Sequence, residues 1–144
     1  MGLKRVVITG LGAITPIGNT VNEYWDALCK GINGAGDITR FDSSKFKTRI
    51  ACEVKDFDPL QYFDRKEVRK LDLYTQFALV ASDEAILDSK ITKDNTDFDE
   101  VGVVFSSGIG GINSFYEEVA SYATGDGTPR YNPFIIPKLL PDRS

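Results

Sequence analysis

The sequence contains no histidine, and this absence excludes more chemistry than any other feature of the composition. Without an imidazole the chain has no Ser-His or Cys-His catalytic pair and no histidine ligand for a metal ion. Cysteine is scarce as well, because only Cys29 and Cys52 are present, far apart and outside any C-x-x-C pair. Neither a zinc site nor a redox motif is therefore predicted, and both cysteines are expected to be buried and inert.

Long apolar runs and an excess of positive charge are also missing. No stretch approaches the roughly 20 apolar residues of a membrane span, and the apolar run over 6–8 is too short for the core of a signal peptide. With 17 Lys and Arg against 21 Asp and Glu, the net charge is −4, which argues against a generic nucleic-acid-binding surface. The few cysteines favour a reduced, cytoplasmic setting.

What is present is the composition of an ordinary globular domain: 144 residues, of which 42% are hydrophobic and 26% charged. Apolar or alternating patterns predict strands over residues 5–9, 49–54 and 101–105. Periodic apolar patterns predict three helices: one that begins near residue 20, one over residues 64–90 and one over residues 112–122. This alternation of strands and helices predicts an α/β fold with a parallel sheet.

The predicted helices differ in how much of their surface is apolar. The first is expected to begin with Thr20 as N-cap and Glu23 three positions later, the pattern of a capping box, and to place Tyr24 and Trp25 in the core. The helix over 64–90 is apolar on two stripes, so it is expected to be buried on most sides inside a larger body. The apolar residues close to the end of the chain are followed by too few residues to cover them. We therefore expect this chain to be the front part of something longer.

Two glycine-rich turns follow the predicted apolar strands. Gly10-x-Gly12 is similar to the start of a dinucleotide-binding fingerprint, but the third position is Thr15 and no acidic residue ends a second strand about 20 residues on. A turn that lets strand and loop pack closely is the favoured interpretation. The second turn, over 106–111, stands where α/β proteins place ligands. Close packing and a ligand site are equal alternatives there, and Ile109 suits an apolar ligand better than a phosphate.

The segment over 65–70, Arg-Lys-Glu-Val-Arg-Lys, concentrates positive charge in an acidic chain. Like charges at 65/69 and 66/70 destabilise a helix by about 0.2–0.5 kcal/mol per pair. The segment also lies in the first turns of the predicted helix, where the helix dipole disfavours cations. A docking patch for an acidic partner accounts for this arrangement. A solvated charged turn, balanced by neighbouring acidic residues, is the equal alternative.

Several segments together resemble the bacterial β-ketoacyl-acyl-carrier-protein synthases, and most closely the type II condensing enzymes of fatty-acid elongation. The first match is residues 5–19, R-V-V-I-T-G-L-G-A-I-T-P-I-G-N. Further matches follow in order along nearly the whole chain: Phe41-Asp42, Val54-Lys55-Asp56-Phe57, Asp64-Arg65-Lys66-Glu67, Arg69-Lys70-Leu71-Asp72, Ser107-Gly108-Ile109-Gly110-Gly111 and Asn132-Pro133-Phe134. The resemblance implies a thiolase-like fold, layered αβαβα in the complete family, with residues 1–144 as an incomplete N-terminal part of that domain.

The resemblance also implies an activity, that of a 3-oxoacyl-[acyl-carrier-protein] synthase acting as a cytoplasmic homodimer. The implied reaction is the decarboxylative Claisen condensation of an acyl thioester with malonyl-carrier protein. No metal or organic cofactor is implied, because the pantetheine arm arrives on the carrier protein. The family's machinery is one Cys and two His, and neither Cys29 nor Cys52 stands in the nucleophile's context. We therefore expect the chain to stop before the nucleophile and to have no condensing activity alone.

Position by position, the resemblance implies two sets of binding residues and no catalytic or metal-binding residue. The substrate-binding set lines the acyl pocket or reaches it across the dimer interface: Gly108, Ile109, Ile135 and Ile136. The carrier-protein-binding set is basic, to suit an acidic acyl carrier protein: Lys66, Arg69, Lys70 and Arg130. A non-catalytic carrier-protein-binding or dimerisation fragment of the same fold is the alternative function.

Overall fold

The computed structural model describes residues 3–139, and most of the regular structure in that range is helical. The α-helices are α1 (Val21–Cys29), α2 (Arg65–Lys70), α3 (Leu73–Ser89), α4 (Ile112–Thr124) and α5 (Ile135–Leu139). Short 3₁₀ helices cover Pro59–Gln61 and Phe98–Glu100. The sheet consists of β1 (Gly36–Asp37) and β2 (Ile50–Ala51), paired antiparallel with Gly36 opposite Ala51. In this part of the chain, no helix is both long and apolar enough to cross a membrane.

The chain folds as two compact units. Unit 1 comprises the described residues up to Phe57 together with Val80–Thr96. Unit 2 comprises Asp58–Leu79 together with the described residues from Asp97 onward. Helix α3 therefore contributes its first turns to unit 2 and its later turns to unit 1. All of the binding residues that the resemblance implies lie in unit 2.

The start of α1 confirms the predicted N-cap. The Thr20 hydroxyl oxygen accepts a hydrogen bond from the Glu23 amide at 3.2 Å. The Glu23 carboxylate accepts one in return from the amide of Asn19 at 2.8 Å, one residue earlier than in a standard capping box. After the helix, Gly31 has a φ of +64°, a left-handed conformation that favours glycine. Local sequence therefore determines both ends of this helix.

The predicted burial of α1 and β2 is partly wrong. Trp25 is 64% exposed, and Ala27 is the buried residue of α1. Ile50 is also exposed, and both free cysteines, Cys29 and Cys52, are exposed rather than buried. The β2 strand is two residues long, so it is too short to present the alternating inner face that the sequence predicts.

The single helix predicted over 64–90 is two helices. The chain leaves α2 at Leu71, which has an extended ψ of 131°, and α3 begins two residues later. The Gln76 side-chain amide donates to the Leu71 carbonyl at 3.1 Å, and both residues are 5% exposed. Asp72 caps the start of α3, since its carboxylate accepts from the Tyr74 amide at 3.4 Å. Because Leu71 is apolar and buried at the break, the apolar period continues through it and conceals it.

The strands predicted over 5–9 and 101–105 are not strands in the described part of the chain, whose sheet is the β1–β2 pair alone. Val6 is 88% exposed and Val104 is 96% exposed. A strand forms only when a neighbouring backbone satisfies its amides and carbonyls, and neither segment finds such a neighbour among residues 3–139. The helix predicted over 112–122 is confirmed as α4. By contrast, α5 forms in a stretch whose apolar residues show no period.

Candidate functional site

Helix α2 presents the basic residues of the candidate site. The Asp64 carboxylate caps it, accepting hydrogen bonds from the amides of Lys66 at 2.7 Å and Glu67 at 2.8 Å. The side chains of Lys66, Arg69 and Lys70 are exposed. Across residues 3–139, no salt bridge joins these three cations to an acidic side chain. These three cations therefore face solvent without a direct salt bridge among the residues that the structure describes.

The position of these cations within α2 corrects one sequence-based expectation. Arg69 and Lys70 lie in the last turn of the helix, where the negative end of the helix dipole favours cations. The expected conflict with the dipole is therefore wrong for both residues. The break at Leu71 is the reason, because it converts the early part of a long predicted helix into the end of a short one.

The second glycine turn is closely packed in one half and open in the other. A Cβ on Gly110 would lie 2.7 Å from Cζ of Tyr74, and one on Gly111 would lie 2.5 Å from the Lys138 carbonyl oxygen. Gly111 also has a φ of +62° as the N-cap residue of α4. These two glycines are therefore required by packing. A Cβ on Gly108 would meet nothing within 4 Å, and the neighbouring Ile109 is 73% exposed, so this half of the turn is open.

Three contacts bring the glycine turn, the end of α2 and α5 together within unit 2. Gly110 packs against the ring of Tyr74. The Ser114 hydroxyl donates a hydrogen bond to the Asp72 carboxylate at 2.7 Å. The Lys70 ammonium lies 5.9 Å from the centroid of the Phe134 ring, directly before α5. In α5, Ile135 is half-buried and Ile136 is 60% exposed.

Arg130 has different surroundings from the other basic residues of the predicted set. Its guanidinium donates to the Asp126 carboxylate at 3.0 Å, and the pair is exposed. Hydrogen bonds from Thr128, together with the Arg130 guanidinium, hold the pKa of Asp126 below its usual value. Both residues line a cavity of about 280 Å³ whose wall also carries Glu118. Among the described contacts none joins Arg130 to α2, so its charge is locally offset and separate from the patch.

The first glycine turn lies in unit 1 and packs on α3. A Cβ on Gly12 would overlap the carbonyl oxygen of Ala81, and one on Gly10 would overlap that of Ala85. Such close approach of two backbones is possible only without a side chain. The close-packing interpretation of Gly10-x-Gly12 is therefore supported.

Carboxylates of α3 occupy the backbone amides beside that turn. Glu84 accepts from the amides of Ala13 and Val21, each at 2.9 Å, and Asp88 accepts from the amide of Leu11 at 2.9 Å. Amides already bonded to carboxylates are not open to a pyrophosphate, which argues against the dinucleotide fingerprint. Within residues 3–139, no group of three Cys, Asp or Glu side chains is arranged to hold a metal ion.

The contacts at the α2–α3 break are the feature that sequence reasoning missed. Asp72 and Ser114 are 42 residues apart, and neither is marked by a local pattern. Tyr74 lies within an apolar helical stretch, where its ring gives no indication that a glycine of a distant turn packs on it. The only available indication is that Asp72 and Gly110 both belong to segments that match the resembled family.

Comparison with known proteins gives matches over nearly the whole chain. The sequence model of the family described as "Beta-ketoacyl synthase, N-terminal domain" matches residues 3–141. The 3-oxoacyl-[acyl-carrier-protein] synthase 2 of Synechocystis sp. is 47% identical over 137 residues, which are 95% of this chain and 33% of that protein. The protein of the same name from Staphylococcus aureus is 43% identical over 140 residues, 96% of this chain and 33% of its own length. The chain thus spans about a third of the length of these curated relatives.

Solved structures give matches of similar extent. The ishigamide ketosynthase/chain length factor superposes with a TM-score of 0.74 at 30% identity, over 93% of this chain and 33% of that one. A type II polyketide synthase acyl-carrier protein in complex with its ketosynthase matches with a TM-score of 0.72 at 25% identity, over 96% and 35%. A β-ketoacyl synthase from Burkholderia phymatum gives 0.72 at 26%, over 96% and 34%. The predicted fold class, an incomplete piece of a thiolase-like α/β fold, is confirmed.

Proposed function

Because the chain belongs to the β-ketoacyl synthase family, we propose that it supplies the N-terminal third of a 3-oxoacyl-[acyl-carrier-protein] synthase of fatty-acid elongation. The complete enzyme is an acyltransferase that condenses an acyl thioester with malonyl-carrier protein, and it acts as a cytoplasmic homodimer. Residues 1–144 form an N-terminal part of one synthase domain. The observation that carries the proposal is the exposed basic patch on α2, Lys66, Arg69 and Lys70, which makes no salt bridge within residues 3–139 and lies in the same unit as the open glycine turn.

The role of the patch is to bind an acidic acyl carrier protein. Lys66 and Arg69 carry free positive charge on one short helix, and Lys70 is shared with the Phe134 ring. A solved structural neighbour is a ketosynthase in complex with its acyl-carrier protein, which supports the same class of partner here. Exposed charge pairs contribute about 1 kcal/mol or less each, and they act mainly on the association rate. Arg130 contributes less than the α2 residues, because Asp126 already offsets its charge.

The role of the substrate-binding set, which is Gly108, Ile109, Ile135 and Ile136, is to receive the acyl chain. Ile109 and Ile136 are large apolar side chains that stay mostly exposed in this chain, and Gly108 leaves room for a ligand to approach the backbone. An acyl chain, or the second subunit of a homodimer, is the kind of apolar surface that would cover them. Ile135 belongs to the same short helix and is already half-buried.

The experiment uses a chimera in which residues 3–139 replace the matching third of the Synechocystis relative. We expect Lys66→Glu with Arg69→Glu to lower kcat/KM for acyl-carrier protein about tenfold at low salt, and the Ala pair to lower it less. The loss should shrink with added salt, because the Debye length is only about 10 Å at 0.1 M. Activity on a small acyl-pantetheine thioester should be nearly unchanged.

The matched control is Lys45→Glu with Lys47→Glu, which makes the same change in charge on exposed lysines of unit 1. We expect this control to cost much less than the α2 pair. Equal loss on both substrates would mean that α2 is a structural charged turn and would refute the docking role.

The alternative function, a non-catalytic carrier-protein-binding or dimerisation fragment, is favoured by one observation. The chain has no histidine, so it cannot provide the Cys-His-His machinery implied by the resemblance. The chimera distinguishes the two functions, because a chain that never forms part of a synthase would not restore condensation when joined to the rest of the relative.

A further inference from the structure

The short helix that carries the basic patch depends on its C-terminal attachment. Six residues are far too few for a stable helix in isolation. Its last turn leads into Leu71, which is 5% exposed and whose carbonyl accepts the hydrogen bond from Gln76. The direction in which Lys66 and Arg69 point therefore depends on the residues that follow α2 as well as on the Asp64 cap at its start.

Those same residues also hold the glycine turn. Asp72 accepts a hydrogen bond from the Ser114 hydroxyl at 2.7 Å, the ordinary length of an O–H···O bond. Two residues on, the Tyr74 ring fills the space where a side chain on Gly110 would lie. The open half of the turn, with Ile109, is thus attached to the start of α3 by one polar contact and one packing contact.

Resting on the proposed function, we propose that Asp72 and Tyr74 are positioning residues that fix the glycine turn relative to α2. A carrier protein docked on α2 would present its acyl group at the end of its pantetheine arm, whose length is fixed. The acyl group reaches Ile109 only if α2 and the turn keep a constant separation. Small displacements matter in such an arrangement, because a misplacement of about 1 Å can cost about a hundredfold in rate. The Lys70–Phe134 contact adds α5 to the same framework.

The kinetic test uses Ser114→Ala in the chimera, which removes the hydroxyl donor to Asp72 and leaves every proposed binding residue in place. We expect kcat/KM for acyl-carrier protein to fall about fivefold, the size expected for loss of one ordinary hydrogen bond. Acyl-pantetheine, which does not dock on α2, should react at an unchanged rate. Ser114→Thr keeps the hydroxyl and should recover most of the loss, and Ser121→Ala on the same helix should have no effect.

An equal fall with both substrates would indicate a structural role only and would overturn the proposal. An unchanged rate with acyl-carrier protein would overturn it as well. The expected pattern requires a split between the two substrates together with recovery by threonine.

A second arm tests the positioning without any carrier protein. In the full 144-residue chain, Ser114→Ala should speed amide hydrogen exchange in α2 and at residues 108–114 about fivefold, and Ser121→Ala should not. Unchanged exchange in α2 overturns the proposal whatever the kinetics show. If instead the α2 charge reversal leaves the carrier reaction intact, the docking function fails while this exchange measurement still decides whether Asp72 positions the turn.

Discussion

Gly12 is the residue whose backbone packing most strictly requires glycine. We expect Gly12→Ala to destabilise the chain by about 3 kcal/mol, at the upper end for overpacking, because its Cβ would overlap a backbone carbonyl of α3. The matched control is Gly36→Ala, since a Cβ on Gly36 meets nothing within 4 Å. Urea titrations of the chimera that carries each variant, followed by circular dichroism, measure both. A Gly12→Ala midpoint equal to that of the control would contradict the packing argument.

At this scale the sequence predicts what neighbours in the chain determine. Thr20 caps α1 because its hydroxyl oxygen accepts from the amide of Glu23, three residues later. Gly31 follows the end of that helix because glycine readily adopts the positive φ found there. The hydrogen bond between Ser114 and Asp72 depends on a long-range arrangement that no local pattern encodes. The prediction that Trp25 and the two cysteines are buried was wrong for the same reason, because burial requires a covering surface from another part of the molecule.

At the scale of elements, Glu84 joins α3 to the first glycine turn. In the chimera, we expect Glu84→Gln to lower the free energy of unfolding by about 1–2 kcal/mol. The carboxylate accepts from two amides, through one oxygen each, and an amide side chain has only one acceptor oxygen. Asp83→Asn, the same chemical change on an exposed neighbouring residue, is the control. A Glu84→Gln variant with the same urea midpoint as Asp83→Asn would show that the two bonds do not stabilise the fold.

The pattern of elements was predictable where a helix is long and strongly periodic, as in α4. It failed at the break between α2 and α3, because the buried Leu71 preserves the apolar period. It also failed for the strands over 5–9 and 101–105, because apolar, β-branched sequence favours a strand but does not supply the partner strand. The turn over 106–111 was recognisable from its glycines, whereas its attachment to α3 through Tyr74 and Asp72 was not.

At the scale of the whole molecule, much of the apolar side-chain surface remains exposed. Within residues 3–139, the buried hydrophobic residues are Ala27, Leu71 and Val80. We expect the isolated chain to unfold with low cooperativity, to bind a hydrophobic dye and to associate as its concentration rises. Dye fluorescence and sedimentation velocity provide the measurements, and the chimera is the reference. A sharp melt of a monomer without dye binding would contradict this expectation.

The isolated chain is also expected to lack condensing activity. Its two cysteines are outside the nucleophile context implied by the resemblance, and it has no histidine to stabilise an enolate. Incubation with acyl- and malonyl-carrier protein, followed by mass spectrometry, should detect no ketoacyl product. The chimera, treated identically, is the positive control. Product from the chain above the background without protein would refute the expectation.

The position of Arg69 and Lys70 at the end of α2 has a thermodynamic consequence for the proposed binding of a carrier protein. The helix dipole favours these cations in the free chain, and the buried Leu71 with its hydrogen bond from Gln76 anchors the end of α2 there without a partner. Binding then requires little ordering of backbone, and the loss of conformational entropy on association is small. The contact buries charged rather than apolar surface, so the heat capacity should change little when the complex forms. If the proposed docking function holds, such a complex would combine weak affinity with rapid exchange, which would suit a carrier that must leave after each delivery.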